Sequence, residues 1–180
     1  MTRAHVKYLW AFVAAALTAH VTQAADATAC TGFKWDVSHE VALMQGTAQV
    51  LVAAPKPGSN VPQVNVDVLY ALKLSDQAKV KFAASPGKNT NAANARAGLV
   101  QFRVQSGGRY RIAITSGHWL DVVSDGQLVP SVGFQGHAGC ERPRKLVEFD
   151  LPADKPLILQ FSGASDPEVT FAITAAPAAS

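Results

Sequence analysis

Beyond about residue 60 the apolar residues recur with a period of two. Val64, Val66, Val68 and Tyr70 alternate with Asn65 and Asp67, and Val80 and Phe82 alternate with Lys79 and Lys81. Val100, Phe102 and Val104 oppose Gln101, Arg103 and Gln105, and Tyr110, Ile112 and Ile114 oppose Arg109 and Arg111. Such alternation places one side of a strand on a core and the other in water. Further runs cover 145–151, 157–162 and 168–174, set apart by Pro- and Gly-bearing stretches. Ser106-Gly107-Gly108 predicts a tight hairpin between its flanking strands. Short strands at this spacing predict an all-β fold, an antiparallel β-sandwich of jelly-roll or similar kind. No long amphipathic helix alternates with strands, which excludes a doubly wound sheet.

One short helix is expected near the N-terminus. Ser38 is placed to cap His39–Gln45, Glu40 complements the dipole in the first turn, and Gly46 ends it. Residues 53–63 read as a linker-like loop, and Ser85–Gly98 as a second soft stretch.

The first residues carry an address. Arg3 and Lys7 precede an uncharged run from Tyr8 to Ala19, too short for the roughly twenty residues of a spanning helix. Small residues Thr22 and Ala24 follow, so 1–24 is expected to be a secretory signal peptide. Residues 25–176 then form a single β-sandwich domain, with 177–180 a flexible tail. The location is periplasmic or secreted, with no transmembrane helix in the mature chain. The net charge of +3 includes Arg3 and Lys7 of the leader, so the remainder is close to neutral. No basic block is left to follow a phosphate backbone, which sets nucleic acid aside as a partner.

Export gives the two cysteines meaning. Cys30 and Cys140 both lie in the mature chain, and an oxidising compartment lets a disulfide between them persist. Lipid attachment at Cys30, after Ala27-Thr28-Ala29, is the competing use.

The segment Phe102-Arg103-Val104-Gln105-Ser106-Gly107-Gly108-Arg109-Tyr110-Arg111-Ile112-Ala113-Ile114, with Asp121-Val122-Val123-Ser124-Asp125-Gly126, resembles bacterial pre-peptidase C-terminal-type β-sandwich domains. That resemblance implies an accessory, non-catalytic module of an exported protein. A wider pattern is similar to small exported bacterial proteins. It comprises Phe33-Lys34-Trp35-Asp36-Val37 after Cys30, Trp119-Leu120-Asp121-Val122-Val123, and Cys140 with Arg144-Lys145. Some of those proteins bear the name homogentisate 1,2-dioxygenase. Such enzymes are much larger and cytosolic, holding iron with two His and a carboxylate, and this chain matches them poorly.

Candidate chemistry is sparse. His39, His118 and His137 are the histidines outside the leader, without the spacing of a metal motif; His118 and His137 together suit a single divalent ion at one end of the sandwich. No nucleophile elbow, P-loop or dinucleotide fingerprint occurs, and no catalytic residue is assigned. Arg142, Arg144 and Lys145 cluster after Cys140, a loop suited to a carboxylate or anionic sugar. Trp119, with Asp121 beside it, and Trp35 offer aromatic platforms. The expected function is therefore a monomeric binding or accessory module without cofactor, for a small anionic, glycan or protein ligand. A small metal-dependent enzyme, dioxygenase-like and using His118 and His137, and a structural envelope protein are the alternatives.

Overall fold

Twelve strands and one helix account for the ordered pattern. The computed structural model describes Met1, Cys30 and residues 32–177; the rest of the expected signal peptide and the end of the tail lie outside the described residues. Helix α1 is Ser38–Met44. The strands are β1 Gln49–Val52, β2 Gln63–Val64, β3 Tyr70–Lys73, β4 Ser75–Asp76, β5 Arg96–Phe102, β6 Gly108–Ile114, β7 Trp119–Ser124, β8 Gln127–Val129, β9 Ser131–Gly136, β10 Lys145–Leu151, β11 Leu157–Ala164 and β12 Glu168–Ala175.

Two sheets form the sandwich. Sheet A runs β1-β3-β12-β6-β10-β9, and sheet B runs β2-β5-β11-β7-β8 with β4 also on β5. Their facing sides supply one core that includes Phe102, Phe149, Phe161, Phe171, Leu72 and Ile112. The alternation predicted Phe102 and Ile112 to point inward, because residues two apart share a side of a strand.

The sheets are mixed rather than antiparallel throughout. β1 lies parallel to β3, and β2 parallel to β5. Between β1 and β3 the chain visits the other sheet at β2 and returns, and such a crossover is what a parallel pair requires. The expected strand 64–70 is accordingly broken by a turn, with Asp67 at φ 59° donating its N–H to Ile173 O.

Gly107-Gly108 does not close a hairpin. β5 belongs to sheet B and β6 to sheet A, so the chain arches over the core at this point. Phe102 and Ile112 thus meet across the core instead of side by side. The tight hairpin comes later, between β7 and β8, where Asp125 and Gly126 take φ 50° and 77°. Two consecutive positive φ values are what a type I′ turn demands.

Both outer faces are covered. α1 and the segment before it lie on sheet A, where Val37 and Met44 pack with Ala113, Leu146 and Ala172. Ser38 does not cap the helix; Asp36 Oδ1 accepts the Ser38 N–H at 3.0 Å, and Gly46 N–H donates to Leu43 O at the far end. The stretches read as linkers instead cover sheet B. Ala54 and Val61 pack with Leu99, joined by Val80 and Ala83. Residues 77–79 form a 3-10 turn and no strand follows at Val80–Phe82, while Arg96–Gly98 already belong to β5.

Candidate functional site

The disulfide between Cys30 and Cys140 is present, with Cα atoms 4.9 Å apart. It ties the start of the described chain to the β9–β10 loop and occupies the sulfur that lipid attachment would need. The loop is braced by its own backbone: His137 N–H donates to Arg144 O, and Cys140 N–H to His137 O. Arg144 N–H donates to Ile114 O, and Arg142 Nε donates to Met44 O at 3.2 Å. A cleft of about 290 Å³ opens here, lined by Thr115, Cys140, Glu141, Arg142 and Arg144.

The three histidines are not brought together. His39 on α1 is exposed and meets Asp67 Oδ1 at 2.9 Å. His137 is wedged beneath the N-terminal segment: its ring sits 5.8 Å from that of Phe33, and a Cβ on Gly32 would fall 2.0 Å from its Nε2. His118, just before β7, is fully buried with Nδ1 2.7 Å from Ser116 Oγ. Among the described residues no three His, Cys, Asp or Glu side chains are gathered to hold a metal ion.

Buried His118 and half-buried Lys145 form a linked pair at this end. Lys145 Nζ donates to the His118 carbonyl. Burial pushes the His118 imidazole down to about 4, with Asp166 opposing and the Lys145 charge adding to the fall. Burial likewise pushes Lys145 down to about 8, helped by the positive charges of Lys88 and Arg144. Lys145 therefore stays cationic at neutral pH while His118 is neutral.

A stability effect follows from His118. Its folded-state value lies below the unfolded one, so the unfolded chain binds the proton first as pH falls. Stability from this group is complete above pH 6.5 and should decline by roughly 3 kcal/mol as pH falls to about 4. Urea unfolding of wild type and His118→Gln at pH 7 and 4.5 checks this, since the variant should lose less stability on acidification. Equal losses in both proteins would refute it.

Asp121 proves to be a brace. It is buried on the outer side of sheet B, where it accepts the Trp119 Nε1–H at 2.9 Å, the Gly87 N–H at 3.2 Å and the Gln160 amide at 3.3 Å. The indole of Trp119 is thereby fixed in place, half-buried, with Lys88 Nζ 5.7 Å from its ring centroid. A cleft of about 410 Å³ lies beside it, lined by Lys88, Asn89, Thr90, Asn91 and Trp119. Trp35 serves elsewhere, its ring 4.9 Å from the Arg111 guanidinium on sheet A.

Sequence reasoning missed Lys88, which lies in a soft Asn- and Ala-rich stretch with no periodicity to place it. It matters because of its charge. Among the described residues Lys88, Arg142, Arg144 and Lys145 make no ion pair, as is also true of Lys34, Lys56, Lys73, Lys81 and Arg103, whereas Arg96, Arg109, Arg111 and Lys155 each have a carboxylate partner. Positive charge is thus left without an ion-pair partner at the end of the sandwich that carries Trp119.

No protein-family model and no curated protein matches the sequence. Two similar solved chains are β-glucosidase from Kluyveromyces marxianus. The complex with glucose aligns at 11% identity over 47% of this chain and 10% of that one, with a TM-score of 0.33. The selenomethionine-labelled form aligns at 10% identity over 59% and 13%, also at 0.33. This chain spans only a small part of their length, and likeness at that level carries no argument here.

Proposed function

We propose that this chain is an exported binding module that holds an acidic saccharide at the basic end of the sandwich. One observation carries the reading: Lys88 Nζ lies 5.7 Å from the Trp119 ring centroid and Lys145 Nζ is held on the carbonyl of neighbouring His118, two cations without an ion-pair partner beside an indole whose orientation Asp121 fixes. A pyranose ring stacks its apolar face on such an indole. A carboxylate on the same ring meets the cations in charge-assisted hydrogen bonds, and their preset positions reduce the ordering cost of binding.

Export is in keeping with the Cys30–Cys140 disulfide, since such bonds persist in oxidising compartments. Among the described residues no helix is long and apolar enough to cross a membrane. The resemblance to pre-peptidase C-terminal-type domains fits the same accessory role. Periplasmic or secreted location is checked by mass spectrometry of the native protein, which should find an N-terminus near Ala25.

The binding test is calorimetric titration with oligogalacturonate. Replacing Arg142 and Arg144 together with Gln should weaken binding about tenfold or more, the loss of one or two charge-assisted contacts. Stability should fall by about 1 kcal/mol, because both side chains are exposed but Arg142 loses its hydrogen bond to Met44 O. Unchanged affinity in the double variant would remove the β9–β10 loop from the site.

A further inference from the structure

We infer that the cleft beside Trp119 is one half of a continuous groove with two subsites, shaped to hold an extended saccharide chain rather than a single sugar. The inference deepens the acidic-saccharide reading and rests on it for the charged half only.

The second half is a cavity of about 560 Å³ that shares Asn91 and Ala92 as lining residues with the first. Phe82 supplies an aromatic surface there, with Asn94 and Asp76 at its border. The two halves differ in charge. Asp76 is shared between Arg96 at 2.7 Å and Lys79 at 3.3 Å, so each of these cations in and beside the Phe82 half has a carboxylate partner. Lys88 in the Trp119 half makes no ion pair among the described residues. A chain with an acidic residue at Trp119 and an uncharged ring face at Phe82 satisfies both.

The walls are preformed. Gln160 receives the N–H groups of Ala83 and Ala84 on Oε1 and donates Nε2 to Ala84 O. Gly87 N–H is held by Asp121. Gln77 donates Nε2 to Thr90 O at 2.9 Å and accepts the Gly163 N–H at 2.8 Å. A groove clamped at these points loses little loop entropy when occupied.

The same clamps argue against an extended peptide. Strand addition needs free backbone N–H and C=O groups along the groove. Along the wall the two halves share, Thr90 O already accepts from Gln77 Nε2 and the Ala92 N–H, and the Asn91 N–H is held by Asn89 Oδ1. Rings and exposed side-chain amides remain, which suits a chain of hydroxyl-bearing rings.

Titration of the full protein with galacturonate, trigalacturonate and neutral xylotriose tests this. Trigalacturonate should bind wild type about tenfold or more tighter than galacturonate, since a second subsite adds to the first without a second association cost. Phe82→Ala should reduce that gain to about threefold or less while leaving galacturonate affinity unchanged, and Asn94→Gly, at a position lining only the Phe82 half and already at φ 58°, should do so independently if the first variant misfolds. Equal affinity for the acid monomer and trimer in wild type would overturn the groove and leave the charged site standing. Phe82-dependent binding of xylotriose without any acidic ligand would support the groove and overturn the charge assignment. Tighter binding of an extended peptide than of any saccharide, or no binding of any of the three sugars, would overturn the groove.

Discussion

Arg111→Ala is expected to lower stability by about 3–5 kcal/mol, because it leaves buried carboxylates without their cation. Arg111 is 5% exposed on the outer side of sheet A, between Glu40 at 1% and Glu148 at 6%. Its Nε donates to Glu148 Oε1 at 2.9 Å, and Nη1 lies 3.6 Å from Glu40 Oε1. Nη1 also donates to Asp36 O at 2.6 Å, and Thr174 Oγ1 donates to Glu40 Oε1 at 2.8 Å. Glu148, Arg111 and Thr174 are direct register neighbours across β10, β6 and β12. This row fastens α1 and the Trp35 segment to the sheet from below. Removing the guanidinium strands two carboxylates, an Asp36 carbonyl and the stacked Trp35 ring at once. The expected reading is a lower urea midpoint at unchanged slope, which reports stability and not compactness. Replacing Glu40 and Glu148 with Gln in the Arg111→Ala background should recover part of the loss, since the uncompensated charge is then gone. A loss below about 1 kcal/mol, the range of an exposed pair, would refute the buried-network account.

The strands most legible in the sequence were β5 and β6, which bury the side their alternation predicts, with Val100, Phe102, Ile112 and Ile114 inward. Partnership was not legible. Phe102 and Tyr110 have the same alternation whether they share a sheet or face one another, and only the path of 103–107 decides. There Arg103 Nη1 donates to Asp154 O and Asp154 N–H to Val104 O, which carries the chain over the core. Charged outer positions misled in the same way. Arg111 and Glu148 read as solvent-facing because their neighbours Ile112 and Val147 point inward. What buries them is a helix some seventy residues upstream of Arg111. The disulfide was legible because two cysteines in a chain read as exported leave one pairing. Of the site, Arg142, Arg144, Lys145 and Trp119 were visible as charge and aromaticity. Asp121 was visible but misread as ligand-facing, since only the fold brings Gly87 and Gln160 to it.

Reducing the Cys30–Cys140 bond, or replacing Cys140 with Ser, should cost about 4–5 kcal/mol, the loop-closure value for a closed segment of this length. The two residues are 110 apart in sequence, so most of the domain lies inside the loop. Little native distortion should accompany the loss, because the N-terminal segment has other attachments. Lys34 N–H donates to Gln135 Oε1 at 2.6 Å, Phe33 meets His137, and Trp35 stacks on Arg111. The effect therefore falls mainly on the unfolded chain, which gains the freedom the bond had removed. Two measurements separate this from a native-state effect. The urea slope should rise on reduction, since an unbridged unfolded chain exposes more surface. Affinity at Arg142 and Arg144 should fall only slightly, because His137 N–H to Arg144 O and Arg142 Nε to Met44 O still hold the loop. An unchanged midpoint under reductant would show that the bond does not constrain the unfolded state. A lowered midpoint at constant slope, with anion binding abolished, would instead locate its role in the folded loop.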